Sequence, residues 1–294
     1  MHQASLTQVV NGMSELVDKY DAFVLDQWGV IHDGNAPYPG VEQVLTHLKR
    51  AVKPVVILTN SSKTSAVNER RLTESFGIDR ALYQCVVSSA EVTINWLQQH
   101  GPEFFGTKLL RAFVLADGTD AVIVEASSIE QVHNTEQADF VLLLSVDPHQ
   151  NVELEVEWSH VALRKRLPLV CASMDQLTVT PSGVFPGLRG IAARYMKAGG
   201  QVLNFGKPER HVYEICEANL KSFHINKVLA VGDQLESDIS GAKMFGFDAA
   251  LVRTGAAAAE FPSSFSTVEV REKIKGRAES GLFVPDWLLP GLVW

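Results

Sequence analysis

The residues of this chain with the clearest capacity for chemistry are aspartates that follow apolar runs. Asp26 ends the run F-V-L-D, while Asp233 and Asp238 lie in V-G-D-Q-L-E-S-D. Carboxylate oxygens suit Mg²⁺, which binds one or two of them together with waters and phosphate oxygens. A carboxylate can also act as a nucleophile that forms a covalent intermediate. Taken alone, Asp238 is most simply interpreted as the cap of a helix that follows it.

Three further polar side chains could work beside these carboxylates. Lys207 lies in the turn F-G-K-P and could neutralise an anion, although an isolated lysine is most often an exposed side chain. Thr59 and Asn60 lie in L-T-N-S-S, ahead of a helix whose first backbone N–H groups can hold a phosphate. The same stretch is equally typical of a plain helix start.

Apolar runs rich in β-branched residues precede these polar groups. The runs are residues 22–25, 55–58, 228–231 and 249–252. Continuous runs of this kind are typical of strands that are buried on both faces of a parallel sheet. Between the first two, apolar residues recur at the spacing of one helix face, at Val41, Val44, Leu45 and Leu48. The alternation predicts a doubly wound α/β domain, which binds ligands at the carboxyl edge of its sheet.

A second set of strand-like and helix-like segments occupies the middle of the chain. Its members are residues 111–118, 120–126 and 138–148. Residues 180–190 follow, and their density of proline and glycine predicts a loop or hinge. The polar groups above all lie outside this block, so the simplest layout is an α/β domain inserted into a discontinuous core. We expect core segments at 1–80 and 188–294, an inserted domain at 81–187, and an apolar tail that packs on the core.

Composition argues against several classes of function. The chain has 294 residues, a net charge of −8 and 46% hydrophobic residues, as in an ordinary globular protein. This acidic balance does not favour binding to nucleic acid or to an anionic membrane. Cys85, Cys171 and Cys216 lack C-x-x-C spacing, so neither a disulfide framework nor a zinc site is predicted. The start of the chain has no leader pattern, and we expect a cytoplasmic location.

In their order along the chain, D-Q-W-G-V, L-T-N-S-S, F-G-K-P and G-D-Q-L-E-S-D resemble the four motifs of the haloacid dehalogenase-like (HAD) hydrolase superfamily. The match spans most of the chain. It is closest to the class IIA branch, which contains sugar-phosphate, nitrophenyl-phosphate and pyridoxal-phosphate phosphatases. The middle block, with A-D-F-V-L-L-L-S-V-D-P and C-A-S-M-D-Q, resembles the α/β cap of this branch. The resemblance implies a Rossmann-like parallel core with an inserted cap.

The resemblance also implies an activity, which is Mg²⁺-dependent hydrolysis of a small phosphate ester through an aspartyl-phosphate. By that resemblance Asp26 is the nucleophile, and Thr59 and Lys207 hold the transferring phosphoryl oxygens. Asn60 and Asp175 are further candidates for substrate binding, although Asp175 could equally cap a turn. The expected partner is this small molecule, and no binding to nucleic acid or to a membrane is expected. Whether the protein forms a homo-oligomer stays open.

The implied metal site consists of Asp26, Asp233 and the backbone carbonyl of Trp28, with Asp238 orienting the water shell of Mg²⁺. Trp28 departs from the family pattern, because the family has a carboxylate there as general acid and base. A carbonyl ligand does not depend on the side chain, so tryptophan is compatible with metal binding. An indole N–H, however, cannot replace a proton-transfer group that is worth about 10²–10⁴-fold in rate.

Two neighbours, His32 and Asp33, could in principle supply the missing acid, although such residues more often shape a turn. Aromatic residues at position 28 also resemble the dehalogenase branch, in which the leaving halide needs no acid. Three functions therefore stay open from the sequence. They are a weak phosphatase, a dehalogenase-like hydrolase, and a non-catalytic protein that binds a phosphometabolite or regulates.

Overall fold

The computed structural model describes residues 7–147 and 154–294 and contains alternating strands and helices. The strands are β1 (Gln8–Val9), β2 (Ala22–Leu25), β3 (Val55–Thr59), β4 (Cys85–Ser88), β5 (Arg111–Leu115), β6 (Glu130–Val132), β7 (Phe140–Leu143), β8 (Leu169–Cys171), β9 (Leu177–Thr180), β10 (Gly183–Pro186), β11 (Val202–Asn204), β12 (Val228–Gly232), β13 (Asp248–Val252) and β14 (Trp287–Leu289). The helices are α1 (Val41–Arg50), α2 (Ser65–Arg70), α3 (Ser89–Phe105), α4 (Val122–Glu125), α5 (Leu154–Lys165), α6 (Arg189–Lys197), α7 (Arg210–Leu220), α8 (Ser240–Phe245), α9 (Ala257–Glu260) and α10 (Thr267–Glu279). Short π-helical turns lie at Arg71–Ser75 and Leu235–Ile239.

The larger sheet forms the core of the molecule. Its strand order is β1-β14-β13-β12-β2-β3-β4, and the neighbouring strands pair in parallel. The four apolar runs of the sequence become β2, β3, β12 and β13, and nearly all of their residues are buried. Apolar clusters cover both faces of the sheet. The predicted doubly wound α/β core is therefore confirmed.

Two elements outside these four strands also agree with the sequence. Helix α1 buries its predicted apolar face, which consists of Val41, Val44, Leu45 and Leu48. The apolar tail forms β14, which pairs with β13, and its Trp287 Nε1 donates a hydrogen bond to the hydroxyl of Tyr20 at 2.6 Å. The tail thus packs on its own core, as its composition predicts.

A second sheet lies in the middle of the chain. Its order is β11-β8-β7-β5-β6, with parallel pairs throughout, and helices α3 and α4 pack against it. Residues 120–126 contribute the short helix α4 rather than a strand. Pro148, the last residue of the segment 138–148, lies outside the described residues. This sheet and its helices form the inserted α/β domain.

The prediction of a loop or hinge at residues 180–190 is wrong. β9 ends at Thr180, and β10 pairs antiparallel with it to form a hairpin. Helix α6 then begins at Arg189. Thr178, Val179 and Thr180 favour an extended strand because β-branched side chains fit a pleated surface. The turn is closed by a hydrogen bond from Thr180 Oγ1 to the carbonyl of Gly183 at 3.0 Å.

The strand pairings in the two sheets place the boundaries of the inserted domain at different residues from those expected. β4 lies within the expected inserted segment 81–187, but it pairs with β3 in the core sheet. β11 lies within the expected core segment 188–294, but it pairs with β8 in the second sheet. Turn signals alone could not reveal these pairings, which join residues far apart in sequence. We propose that the inserted domain spans residues 89–205.

Within residues 7–147 and 154–294, no helix is both long and apolar enough to cross a membrane. Residues 1–6, which belong to the start of the chain where no leader pattern was found, lie outside the described residues.

Candidate active site

The carboxyl ends of β2 and β12 bring three aspartates together. The two strands are neighbours in the sheet, and the backbone N–H of Asp26 donates to the carbonyl of Val231 at 2.9 Å. One oxygen from each of Asp26, Asp233 and Asp238 lies within 4.8 Å of the other two, and all three residues are buried. The structure thus brings Asp26 to the same sheet edge as Asp233 and Asp238, which lie more than 200 residues later in the sequence.

Lys207 lies at the centre of this cluster. Its Nζ donates to Asp26 Oδ1 at 2.6 Å and to Asp238 Oδ1 at 2.7 Å. Burial lowers the pKa of Lys207, but Asp238 and Asp26 raise it by more, so the pKa is well above its ordinary value. Asn60 holds the backbone of the lysine, because its Oδ1 accepts the Lys207 N–H at 2.8 Å. Lys207 is therefore a buried cation fixed in the site rather than an exposed lysine.

Asp233 has one satisfied and one unsatisfied oxygen. Its Oδ2 accepts the backbone N–H of Ala256 at 2.7 Å, whereas the buried Oδ1 has no hydrogen-bond partner among the residues that the structure describes. Backbone crowds this carboxylate, since a Cβ at Gly29 would lie 1.9 Å from Oδ2 and one at Gly255 would lie 2.1 Å from it. Burial raises the pKa of Asp233 well above its ordinary value, and Asp26 adds to the effect. The carboxylate therefore lacks a compensating charge on its Oδ1 side.

The cluster fits a divalent cation. Three buried carboxylates and one ammonium leave two negative charges, and burial raises the pKa of Asp26 to about 7 even though Lys207 lowers it. Hard carboxylate oxygens are the ligands that Mg²⁺ prefers. Asp238 differs from the other two because its Oδ1 binds Lys207 and its Oδ2 accepts the N–H groups of Asp233 and Gln234. Asp26 and Asp233 are thus the carboxylates with oxygen free for a metal.

A cavity of about 410 Å³ lies above Asp26, between the core and the inserted domain. Core residues in its wall include Trp28, Asn60 and the buried Thr59. The inserted domain contributes Asp175 to the wall. Pockets of this size hold small metabolites. The structure therefore brings the predicted catalytic and substrate-binding residues to one cavity or its floor.

Two family models match this chain. A model described as haloacid dehalogenase-like hydrolase matches residues 23–130, and one described as HAD-hydrolase-like matches residues 204–270. Together they cover more than half of the chain and contain Asp26, Lys207, Asp233 and Asp238. The chain belongs to the haloacid dehalogenase-like hydrolase superfamily.

Curated relatives of this HAD-like chain are similar at low identity. A Caenorhabditis elegans protein with a NipSnap name is 26% identical over 79% of this chain, which spans only 47% of that protein. A sugar-phosphatase of Bacillus subtilis is 24% identical, with 92% of this chain and 89% of the relative covered. A 4-nitrophenylphosphatase of Schizosaccharomyces pombe is 25% identical, with 78% and 82% covered. The names of the latter two are those of the class IIA branch.

Solved structures support the same fold. A haloacid dehalogenase-like hydrolase from Brucella suis has a TM-score of 0.79 at 22% identity and covers 97% of this chain and 100% of its own. A glycerol phosphate phosphatase from Mycobacterium tuberculosis in complex with magnesium has a TM-score of 0.62 at 22% identity, with 92% and 76% covered. At these identities the likeness concerns the fold alone. It agrees with the HAD-like core and the inserted cap.

In the cap of this HAD-like chain, Asp175 lines the cavity, and its contact with substrate stays a prediction. Its own N–H donates to Ser173 Oγ at 3.2 Å, so the side chain of Ser173 rather than that of Asp175 caps this turn. Its Oδ1 also accepts a hydrogen bond from Asn60 Nδ2 at 2.9 Å, and burial raises its pKa. Sequence reasoning missed this role of Asn60, which joins Lys207 to the cap. No local pattern could have revealed it, because the partners are more than 100 residues apart.

The candidates for a substitute acid belong to a turn. His32 is fully buried, its Nδ1 accepts the N–H of Gly34 at 3.0 Å, and burial lowers its pKa to about 3. A neutral ring in this position cannot serve as a general acid near neutral pH. Asp33 Oδ1 accepts the N–H groups of Asn35 and Ala36, which fixes the same turn. The structure thus favours the turn interpretation for both residues.

Two residues beside the cavity were missed from the sequence. The guanidinium of Arg71 lies 4.6 Å from the ring centre of Trp28, and both residues line the cavity. The side chain of Gln234 accepts the N–H of Leu177 at 3.3 Å and donates to its carbonyl at 3.1 Å. Gln234 thereby ties the loop that carries Asp233 to the cap. Arg71 lies outside every motif quoted for its chemistry, whereas Gln234 lies within G-D-Q-L-E-S-D but was given no role of its own.

Proposed function

We propose that this protein is a Mg²⁺-dependent phosphoric monoester hydrolase that acts on a small phosphorylated metabolite through an aspartyl-phosphate at Asp26. The observation that carries the proposal is the pairing of Asp26 with Lys207 beneath a cavity, within a carboxylate cluster that fits a divalent cation. The phosphatase names of the relatives and the magnesium complex of a structural neighbour support it.

In the first step, Asp26 attacks phosphorus. Within the described part of the chain, Lys207 holds Oδ1 of Asp26 and leaves Oδ2 without a hydrogen bond. A bond forms between one Asp26 oxygen and phosphorus while the bond to the leaving oxygen breaks, and the electron pair departs with the leaving oxygen. The other Asp26 oxygen would face the metal. Lys207 and the hydroxyl of Thr59 hold the phosphoryl oxygens. Mg²⁺, held by Asp26, Asp233 and the carbonyl of Trp28, supplies charge neutralisation when bound.

In the second step, water attacks the phosphorus of the aspartyl-phosphate, the bond from phosphorus to the Asp26 oxygen breaks, and inorganic phosphate and free Asp26 are released. The proton of that water passes to solvent, and the leaving oxygen of the first step takes its proton from solvent, unless a side chain of the site exchanges these protons. Trp28 cannot exchange them, and His32 is buried in a turn. Both steps therefore lack general acid–base catalysis, which typically contributes about 10²–10⁴-fold in rate. Slow turnover is part of the proposal for this reason.

A second candidate function is a non-catalytic phosphometabolite-binding protein. The observation that favours it is the indole of Trp28 beside the nucleophile, where the family has its acid and base. A pure binder, however, has no use for the Asp26 carboxylate against a bound phosphate. A dehalogenase gains no support from the cluster, because a halide leaving group does not require a divalent metal site.

The experiment measures inorganic phosphate released from 4-nitrophenyl phosphate with and without Mg²⁺. We expect turnover that depends on Mg²⁺ and falls at least about 100-fold in Asp233→Asn, because a hard anionic ligand is lost. Asp18→Asn is the matched control, since Asp18 is exposed and lies far from the cavity. Release that is equal with Mg²⁺ and with chelator, or equal in wild type and Asp233→Asn, would contradict the proposal.

A further inference from the structure

We infer that Arg71 binds a second oxyanion of the substrate, so that the substrate class is phosphate monoesters that also carry a carboxylate or a second phosphate. The inference rests on the proposed function, because it takes the first phosphate to lie against Asp26. It goes further by naming the chemistry of the rest of the molecule. Three features of Arg71 carry it, namely its charge, its place in the cavity and its fixed orientation.

The first feature is an uncompensated charge. Arg71 is half-buried, and its Nη2 donates to the carbonyl of Gly34 at 3.0 Å. Within the described ranges no carboxylate lies at ion-pair distance from its guanidinium. Partial burial of this cation carries a free-energy cost, because a charge is removed from water. A bound oxyanion would offset that cost.

The second feature is the contrast with the other basic residue of the cavity wall. Lys63 also lines the cavity, but it forms an ion pair with Asp120, which in addition accepts a hydrogen bond from Ser62. In the described part of the wall, Arg71 is therefore the basic side chain whose charge is open to a ligand. The acidic residues Asp117 and Asp120 belong to the inserted domain. Lys63 compensates Asp120, so the negative charge of Asp117 is the one that disfavours a second anion at the cap and favours the core side, where Arg71 lies.

The third feature is the aromatic support of the guanidinium. Its central carbon lies 4.6 Å from the ring centre of Trp28 and 5.4 Å from that of Phe76. Such stacking fixes the planar fork, which can then bind a carboxylate or phosphate through two parallel hydrogen bonds. Trp28 is only two residues from Asp26, and both line the same cavity as Arg71, so the fork and the nucleophile face one ligand space. The indole of Trp28 carries no charge, so it supports the guanidinium of Arg71 without compensating it.

The test compares kcat/KM for three aryl phosphates that differ at one substituent. The probes are 4-carboxyphenyl phosphate, 1,4-phenylene bisphosphate and the neutral 4-carbamoylphenyl phosphate. We expect wild type to prefer the charged probes by about 10–100-fold, the range of a charge-assisted hydrogen-bonded pair. Arg71→Gln should lose most of this preference, and Arg71→Lys should keep part of it because the charge remains. The two charged probes distinguish a carboxylate site from a phosphate site.

Arg70→Gln is the matched control, because Arg70 is the exposed neighbour that ends α2 and does not line the cavity. It should keep the wild-type preference. Equal preference in wild type and Arg71→Gln, or equal rates with charged and neutral probes in wild type, would overturn the inference. A calorimetric measurement of the binding of 4-carboxybenzylphosphonate and its carboxamide tests the inference without turnover. It therefore separates failure of the inference from failure of the proposed function. If the protein binds the carboxylate more tightly than the carboxamide, and this preference depends on Arg71, the inference is upheld even if no turnover is seen. Absence of turnover would then overturn only the proposed hydrolase activity.

Discussion

At the scale of single residues, the chemistry depends on position 28. The indole of Trp28 lies between the guanidinium of Arg71 and the ring of His32, 4.6 Å from each. Gly34 is required beneath it, because a Cβ there would lie 2.5 Å from the indole, and the glycine has φ of +98°. The tryptophan is therefore built into the turn and is not a loosely placed substitution. Its effect on rate should appear in the choice of leaving group.

Trp28→Asp should raise turnover of alkyl phosphates by up to about 10²–10⁴-fold, because it restores a proton-transfer group. The gain for aryl phosphates should be smaller, since an acidic phenol leaves without protonation. Arg71 would lie beside the new carboxylate and lower its pKa, which favours its action as a base over its action as an acid. The measurement is a plot of log kcat/KM against leaving-group pKa for both proteins.

Trp28→Asn is the matched control, because it has the size of aspartate and opens the same space without an ionisable group. Folding of both variants is checked by circular dichroism. If wild type hydrolyses alkyl and aryl phosphates equally well, and a folded Trp28→Asp is no faster than Trp28→Asn, another group supplies the proton.

At the scale of elements, a few polar contacts join the cap to the core. Gln234 holds both the N–H and the carbonyl of Leu177 at the start of β9. Asn35 Nδ2 donates to the carbonyl of Pro181 in the same hairpin at 3.1 Å. The hairpin thus meets the turn after β2 and the loop after β12. We predict that the cap closes and opens by rotation around its two connections to the core, with these contacts formed when it is closed.

Gln234→Ala should increase hydrogen exchange of the Leu177 amide by up to about tenfold, because one hydrogen bond of ordinary strength is lost. Exchange of amides within β12 should stay slow, since that strand is held by neighbours on both sides. The measurement is residue-resolved hydrogen exchange, with the exposed Gln98→Ala as control. Unchanged exchange at Leu177 would show that the contact does not hold the hairpin.

At the scale of the whole molecule, the sequence predicts where strands form better than it predicts which strands pair with one another. The four buried runs and the face of α1 were predictable because their periodicity is local. The hairpin β9–β10 pairs residues only three to nine positions apart, and its local β-branched signal was outweighed by the proline and glycine of the same segment. The core position of β4 was not predictable, because long-range pairing decides it. The same holds in the site. Asp26, Lys207 and Asp233 lie in recognisable motifs, whereas the role of Arg71 depends on stacking against a ring 43 positions earlier in the chain.

The central claim, that Asp26 is a nucleophile in a site without a general base, is tested most directly by trapping the phosphoenzyme. Wild-type protein is mixed with Mg²⁺ and 4-nitrophenyl phosphate, quenched in acid, and digested for mass spectrometry. We predict a burst of about one nitrophenolate per site, because an acidic phenol leaves readily while water attack on the intermediate is slow. One phosphoryl group should appear on the peptide that contains Asp26, and Asp26→Asn should show neither burst nor adduct. Steady turnover with no adduct at Asp26, or turnover that survives Asp26→Asn, would contradict the account.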